Sequence, residues 1–177
     1  MSDIYPPSED TYLLRDAALD EVRRGDTVLE VGTGSGVVAE AVAEEARRVI
    51  ATDINPEAVR AARGRGVPAV RTDLAAALDT EFDLVAFNPP YLPDEEETPD
   101  DAMAEALGGG ERGYEVAELF LDTVPRVLAP DGRVLLVASS LSGIEVLEMR
   151  DGYEAERVAS EHHFFEEIAV LRLRLTP

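Results

Sequence analysis

The sequence TVLEVGTGSG, residues 27–36, gives the strongest indication of how this chain folds. Five residues typical of a strand are followed at once by a turn with three glycines at alternate positions. Glycine permits left-handed backbone and lets a ligand approach the main chain closely. A helical pattern with Val38 and Val42 on one face then runs as far as Glu45. The stretch predicts a strand, a ligand-binding turn and a helix, the first unit of a parallel α/β sheet.

The rest of the chain continues this alternation of strands and helices. Asn55 caps a helix that starts with Pro56, and Pro125 is expected to interrupt an amphipathic helix over residues 114–128. Two strands close the chain, which favours a seven-stranded, mostly parallel sheet with one antiparallel strand and helices on both faces, a Rossmann-like α/β fold. The predicted strands cover residues 27–31, 48–52, 69–72, 82–87, 133–138, 153–158 and 167–175; the other helices lie near residues 9–22 and 144–149.

The remaining segments are predicted to connect these elements. Residues 92–113 form a polar loop with one helical turn near residues 102–107, and residues 130–132 form a tight turn. No repeat or low-complexity linker divides the chain. We therefore expect residues 1–177 to form a single domain.

The charge of the chain is far from neutral. It has 37 acidic and 16 basic residues, all 16 of them arginine, and a net charge of −21. Such a field repels polyanions, which disfavours nucleic acid as a partner. An acidic surface without lysine resembles proteins of salt-loving cytoplasms, where molar salt shortens the Debye length to roughly 3 Å. We expect a fold that needs high salt, a condition that also weakens the argument against nucleic acid.

Several classes of function are disfavoured by what the sequence lacks. The chain has no cysteine, which excludes disulfides, thiolate metal ligands and a cysteine nucleophile. His162 and His163 are adjacent and would face opposite sides of a strand, so we expect no metal site. Neither a membrane span nor a secretory signal is visible, and we expect a cytoplasmic protein without membrane contact.

Polar features follow four of the predicted strands at the edge where such folds bind ligands. Asp53 suits the two hydroxyls of a ribose, and Asp73 suits an adenine amino group. A nicotinamide dinucleotide is disfavoured, because its third glycine would stand at Val37 and Glu30 would repel a pyrophosphate. S-adenosylmethionine carries an ammonium and a sulfonium but no phosphate, and it fits such a site.

The tetrapeptide NPPY, residues 88–91, ends the fourth strand. Two prolines bring no N–H, so the carbonyls of Asn88 and Pro89 are free to face a ligand. Asn88 adds a side-chain oxygen, and Tyr91 adds a flat ring with a polar tip. These groups suit a planar NH2 group, although Asn and Pro are also common in ordinary turns.

The same stretches resemble a known family. EVGTGSG (residues 30–36) and NPPY (residues 88–91) resemble class I S-adenosylmethionine-dependent amino-methyltransferases. More narrowly, YPPSEDT (residues 5–11), TDINPEA (residues 52–58) and GGERG (residues 109–113) resemble the short HemK-type release-factor glutamine methyltransferases of archaea and eukaryotes. The resemblance covers nearly the whole chain.

The resemblance implies roles for particular residues. Asn88, Pro89, Pro90 and Tyr91 are the expected catalytic residues, with Asn88 and the Pro89 carbonyl holding the acceptor amide. A helix within residues 1–25 is expected to cover the cofactor site. The expected S-adenosylmethionine contacts are Thr11, Glu30, Gly32, Gly34, Gly36, Asp53, Ile54, Asp73, Leu74 and Asn88.

The resemblance also implies the partners. The substrate is the glutamine of the Gly-Gly-Gln loop of a peptide chain release factor. A small zinc-binding activator is expected to dock along the third strand near Val70. The longer bacterial members carry an N-terminal recognition domain, which the short branch lacks, and the acidic surface suggests a halophilic archaeon.

Three functions other than glutamine methylation are also compatible with these residues. An amino-methyltransferase for N6 of adenine or N2 of guanine would present the same kind of NH2 group to the site. Lysine methylation is a further variant, but an ammonium must first lose its proton. A cofactor-binding scaffold without catalysis is an alternative from a different class.

Overall fold

A computed structural model of the protein describes residues 4–91 and 113–177. Residues 92–112 lie outside this part of the chain. They include the helical turn expected near residues 102–107 and all of the GGERG motif except Gly113.

The described residues contain a seven-stranded sheet with the order β3-β2-β1-β4-β5-β7-β6. Strands β1 to β5 are parallel, and β7 pairs antiparallel with both β5 and β6. The predicted α/β architecture is confirmed, and its antiparallel strand lies one place in from the edge. The strands are β1 Thr27–Val31, β2 Arg48–Asp53, β3 Ala69–Arg71, β4 Phe82–Phe87, β5 Leu128–Ser139, β6 Tyr153–His163 and β7 Glu166–Leu175.

Among the described residues, one α-helix precedes β1 and four lie between strands, and local sequence explains most of their ends. Asn55 accepts a hydrogen bond from the Glu57 N–H (2.8 Å) and so caps α3. As expected, Pro125 interrupts the helical pattern: α4 ends at Thr123, and Pro125 lies in the 3₁₀ turn Val124–Val127 that follows. The helix after the glycine turn is shorter than the sequence pattern suggested. The helices are α1 Glu9–Glu21, α2 Val37–Val42, α3 Pro56–Gly64, α4 Glu115–Thr123 and α5 Ile144–Glu148.

The helices cover both faces of the sheet. On one face α1, α2 and α3 pack through residues such as Leu14, Val38 and Val59. On the other face α4 and α5 pack against Phe82 and Val85 among others. The hydrophobic core is therefore split into two layers by the sheet, as in other α/β folds with helices on both sides.

Two strands extend further than expected. Strand β5 begins at Leu128, and residues 130–132 form an irregularity inside it, because pairing with β4 jumps from Phe82–Leu128 to Leu84–Arg133. Strand β6 continues to His163 because it pairs with β7 from Tyr153 to His163, with one irregularity at Val158. Its exposed outer residues gave no alternating pattern to predict this extension.

No helix in residues 4–91 and 113–177 combines the length and the apolar character that a membrane span needs.

Candidate active site

A cavity of about 920 Å³ opens at the carboxyl ends of the parallel strands. Helix α1 contributes Asp10, Thr11 and Leu14 to its wall. Gly36 does not line the cavity, whereas the other residues expected at the site do. These are Thr11, Glu30, Gly32, Gly34, Asp53, Ile54, Asp73, Leu74, Asn88, Pro89, Pro90 and Tyr91.

The glycine turn has left-handed backbone at each of its glycines. The φ angles are +60° at Gly32, +52° at Gly34 and +80° at Gly36. A Cβ at Gly36 would lie 2.9 Å from Ala62 Cα, so this glycine permits α2 and α3 to pack closely. A Cβ at Gly32 would lie 3.1 Å from a ring atom of Phe87. Gly32 and Gly34 therefore shape the cavity, and Gly36 shapes the packing behind it.

Asp53, at the end of β2, is held in place by the backbone. One carboxylate oxygen accepts the Gly34 N–H (2.9 Å), and the other accepts the Asn55 N–H (2.8 Å). Each carboxylate oxygen can accept more than one hydrogen bond. Asp53 is thus rigid and still able to receive two hydroxyl groups from the cavity.

Glu30, at the end of β1, is almost fully buried. Its Oε2 accepts hydrogen bonds from Thr33 Oγ1 (2.6 Å) and from the Ala39 N–H (2.9 Å). Burial is the main cause that raises the pKa of Glu30 to about 7, against the lowering effect of these two bonds. The protonation of this carboxyl therefore changes near neutral pH.

The turn after β3 completes this side of the cavity. Leu74 has a φ of +45° and is the one non-glycine residue with positive φ among the described residues. Strained backbone of this kind is concentrated at binding sites. Asp73 and Ile54 are exposed beside it on the rim. We call Glu30, Gly32, Gly34, Asp53 and Asp73 the glycine-turn end of the cavity.

The opposite side is built around Asn88. Asn88 Nδ2 and the Tyr91 hydroxyl both donate to Asp10 Oδ2, each at 3.0 Å. An ionised carboxylate only accepts hydrogen bonds, so Asp10 fixes which end of the Asn88 amide faces it. Burial, followed by the nearby charge of Asp10, raises the pKa of Tyr91, and its phenol stays protonated as a donor. We call Asp10, Asn88 and Tyr91 the Asn88 end.

Asn88 Oδ1 is left without a hydrogen-bond partner. It is one of two buried side-chain polar atoms in this condition among the described residues. The other, Thr52 Oγ1, belongs to a residue that does not line the cavity. A buried acceptor without a partner costs free energy, and a bound donor would remove that cost.

Asp10 is a buried residue of the cavity lining that the sequence analysis did not assign to the site. It stands in the first turn of α1, where an acidic residue is ordinary because it interacts favourably with the helix dipole. In the structure it is only 3% exposed and also accepts the Thr11 N–H (2.6 Å). Its burial distinguishes it from Glu9 beside it, and burial was not visible in the local pattern.

The charges that line the cavity favour a cationic ligand. Arg71 is the one basic residue among the described residues that line the cavity. A ligand with an ammonium or a sulfonium would therefore meet favourable charges, and a pyrophosphate would be repelled. The lining carboxylates are Asp10, Glu30, Asp53, Glu57, Asp73 and Glu166.

The seven-stranded sheet has the fold of class I methyltransferases, and the cavity lies at its carboxyl edge. The methyltransferase small domain family matches residues 11–166. A Methanocaldococcus jannaschii protein assigned as a protein N5-glutamine methyltransferase is 33% identical over 180 residues, which cover 96% of this chain and 90% of that protein. Methyltransferase HEMK2 of Homo sapiens is 39% identical over 153 residues, which cover 77% of this chain and 72% of that protein.

A solved structure agrees with these relatives. The E. cuniculi Mtq2–Trm112 complex, responsible for methylation of the translation termination factor eRF1, has a TM-score of 0.81 and 29% identity. The match covers 98% of this chain and 99% of that one. The chain thus belongs to the methyltransferase small domain family and, within it, to the HemK-type protein glutamine methyltransferases.

Proposed function

We propose that this protein transfers a methyl group from S-adenosylmethionine to the side-chain nitrogen of a glutamine, in the Gly-Gly-Gln loop of a peptide chain release factor. The observation that carries the proposal is the buried Asn88 Oδ1, an acceptor without a partner on a residue that lines the cavity. A glutamine NH2 group supplies the donor that this atom lacks.

The cofactor is proposed to occupy the glycine-turn end. Asp53 would receive the ribose hydroxyls and Asp73 the adenine amino group, with Ile54 and Leu74 against the ring. Gly32 and Gly34 would leave room for the ligand beside the backbone, and Thr11 and Glu30 would complete the contacts. Gly36 acts through packing in this proposal, since it lies behind the cavity.

Catalysis would depend on positioning and electrostatics. S-adenosylmethionine would supply a methyl group on a sulfonium: the new N–C bond forms as the S–C bond breaks, which leaves the sulfur as a neutral thioether. Positive charge develops on the attacking nitrogen, which then loses one proton to water. Asn88 Oδ1 and the Pro89 carbonyl would each accept a hydrogen bond from one N–H of the amide. These bonds would stabilise the positive charge and direct the nitrogen lone pair at the methyl group. Pro90 and Tyr91 would hold this geometry, Tyr91 through its bond to Asp10.

A small activator protein is proposed to dock along β3. This strand has three residues and lies at the edge of the sheet. The Ala69 carbonyl accepts from Arg63 (2.7 Å to Nη2), while Val70 is half-buried against the core. An edge strand of this kind is able to pair with a strand of a partner, and Arg63 would then release the carbonyl. We propose that the activator binds zinc itself.

The setting of the protein is proposed to be a salt-rich, cytoplasmic one, with the chain acting as a single domain. The net charge of −21 repels itself strongly in dilute buffer. We expect the midpoint of thermal unfolding to rise by several degrees between near-zero and molar potassium chloride. Circular dichroism measures this shift, and an unchanged midpoint would contradict the halophilic part of the proposal.

A nucleic-acid amino group is the second candidate, because it offers the same NH2 chemistry to Asn88. The carboxylates that line the cavity oppose it, since they would repel nearby phosphates. Any glutamine-specific preference must therefore be measured directly against this alternative.

The test uses labelled S-adenosylmethionine at high salt. The protein, with and without the activator, is offered a release factor carrying Gly-Gly-Gln, the matched Gly-Gly-Asn variant, or DNA and RNA. We expect label on the Gly-Gly-Gln form alone. Label on nucleic acid, or equal label on the two release factors, would overturn the proposed substrate.

A further inference from the structure

The turn between β6 and β7 presents two adjacent aromatic side chains to solvent. Phe164 is 101% exposed and Phe165 is 89% exposed, more than any other large hydrophobic residue in the described part of the chain. Their ring centroids are 6.5 Å apart. Exposed aromatic pairs of this kind are typical of surfaces that pack against a partner. We call Phe164 and Phe165 the aromatic tip.

The topology of the sheet puts the aromatic tip beside the cavity. Strand β6 runs in the same direction as the parallel strands and ends at His163, and β7 returns from Glu166. The tip therefore stands at the carboxyl edge, where the cavity opens. Glu166, the residue directly after the tip, lines the cavity and accepts a hydrogen bond from Ser139 Oγ (2.6 Å).

The aromatic tip is also linked to the Asn88 end. His163 Nε2 lies 3.3 Å from a carboxylate oxygen of Glu9. Glu9 immediately precedes Asp10, the residue that orients Asn88. A molecule that contacts the tip would thus lie next to the part of the cavity proposed to receive the acceptor group. This position is at the opposite edge of the sheet from β3.

The charges around the aromatic tip define its partner. Carboxylates flank it at Glu9, Glu161, Glu166 and Glu167. Arg157, the arginine nearest to it on β6, is already paired with Glu167 (3.0 Å) and Glu148. Two apolar rings inside an acidic border suit a surface with an apolar recess and basic residues around it. Phosphate groups would be repelled by the same border.

We infer that the aromatic tip docks the folded protein substrate: Phe164 and Phe165 enter an apolar recess bordered by arginine or lysine, beside the loop that carries the acceptor glutamine. This inference rests on the proposed function and deepens it. In the proposed function the cavity would receive only the acceptor side chain, whereas the tip would select the protein to which that side chain belongs. The two contacts together would align the glutamine with Asn88.

The test is the double variant Phe164→Ser/Phe165→Ser, which changes only exposed side chains. We expect the KM for the intact release factor to rise about tenfold or more, as for loss of aromatic residues at the centre of an interface. The kcat at saturating substrate and the affinity for S-adenosylmethionine stay unchanged. Met149→Ser is the matched control, because Met149 is 76% exposed and follows α5, which runs away from the carboxyl edge.

The outcomes separate the inference from the proposed function. If the wild-type protein labels the release factor and the double variant has the same KM, the inference is wrong and the proposed function stands. If the wild-type protein labels no release factor, the proposed function fails and the inference fails with it. An unchanged KM together with lost self-association, or with lost binding to lipid vesicles, assigns the tip to a second copy or to a membrane and also overturns the inference.

Discussion

The two ends of the cavity hold their polar groups in different ways. At the glycine-turn end, Asp53 is fixed by backbone N–H groups from the turn after β1 and from its own strand end. At the Asn88 end, Asn88 is fixed by a side chain 78 residues away, Asp10 on α1. The first arrangement is local to one strand-helix-strand unit. The second exists only when α1 is docked on the sheet. We therefore expect a substitution at one end to leave the function of the other end largely unchanged.

The largest effect is expected from Asn88→Ala. Loss of Oδ1 removes one acceptor for the amide protons, and we expect kcat for methyl transfer to fall by about 10²–10³-fold, by analogy with loss of one preorganised hydrogen bond at a reacting group. The affinity for S-adenosylmethionine, measured by calorimetry, should change little. An active Asn88→Ala variant would contradict the role given to the Asn88 end.

A smaller loss is expected from Asp10→Asn. The substitution keeps the shape of the side chain but weakens the acceptor that orients both Asn88 and Tyr91. We expect kcat to fall by about 10–100-fold through misplacement of Asn88, with cofactor affinity preserved. Asp16→Asn, exposed on the same helix, is the matched control. A loss of cofactor affinity in place of kcat would mean that Asp10 supports the other end.

Asp53→Ala should have the opposite effect to Asn88→Ala: a loss of cofactor affinity with little loss of rate. Loss of its charged hydrogen bonds is expected to weaken S-adenosylmethionine binding by about 10–100-fold. The rate at saturating cofactor should be affected far less than in Asn88→Ala. Asp79→Ala, exposed and outside the cavity lining, controls for the change in net charge. If Asn88→Ala and Asp53→Ala each lost methyl-transfer rate and cofactor affinity to the same degree, the two ends of the cavity would have to be treated as one cooperative unit.

The smallest effect concerns Glu30 and pH. Burial raises its pKa in the folded protein to about 7, above an ordinary value of 4.5. Between these two values the unfolded chain has already lost the proton that the folded protein retains. The stability contribution of Glu30 is therefore complete below pH 4.5, declines as the pH rises towards 7, and is constant above that.

Glu30→Gln removes this decline, because glutamine does not titrate but still offers an oxygen to Thr33 and Ala39. Without cofactor, the difference in unfolding midpoint between Glu30→Gln and wild type should favour the variant more at pH 8 than at pH 5. Thermal unfolding at constant salt measures the difference. Glu57→Gln, exposed on the cavity rim, should show no such change with pH.

The sequence revealed the glycine-turn end more completely than the Asn88 end, for a physical reason. Glycines, strand-end aspartates and the prolines after β4 are local signals, and each lies in the cavity lining near the strand that positions it, apart from Gly36. The contact between Asp10 and Asn88 depends on how α1 packs across the sheet. At Asp10 the only local signal was that of a helix start.

Local signals also decided which parts of the fold could be predicted. Both ends of β1 and β4 and the start of α3 were predicted from apolar runs, an asparagine cap and proline. The extension of β6 to His163 depends on pairing with β7, since its exposed residues carry no alternating pattern. Arg133, the first residue after the irregularity in β5, is buried, and its guanidinium donates to Asp26 (2.7 Å) and to the Asp83 carbonyl (2.9 Å). Neither the pairing of β6 nor these contacts of Arg133 leaves a local pattern in the sequence.

The most direct test of the account is to locate the methyl group. Release factor is incubated at high salt with wild-type protein or with Asn88→Ala and then fragmented in a mass spectrometer. We expect one added methyl group on the side-chain nitrogen of the Gly-Gly-Gln glutamine with wild type and almost none with the variant. A methyl group on another residue, or equal methylation by the variant, would contradict the claim that Asn88 receives the glutamine amide.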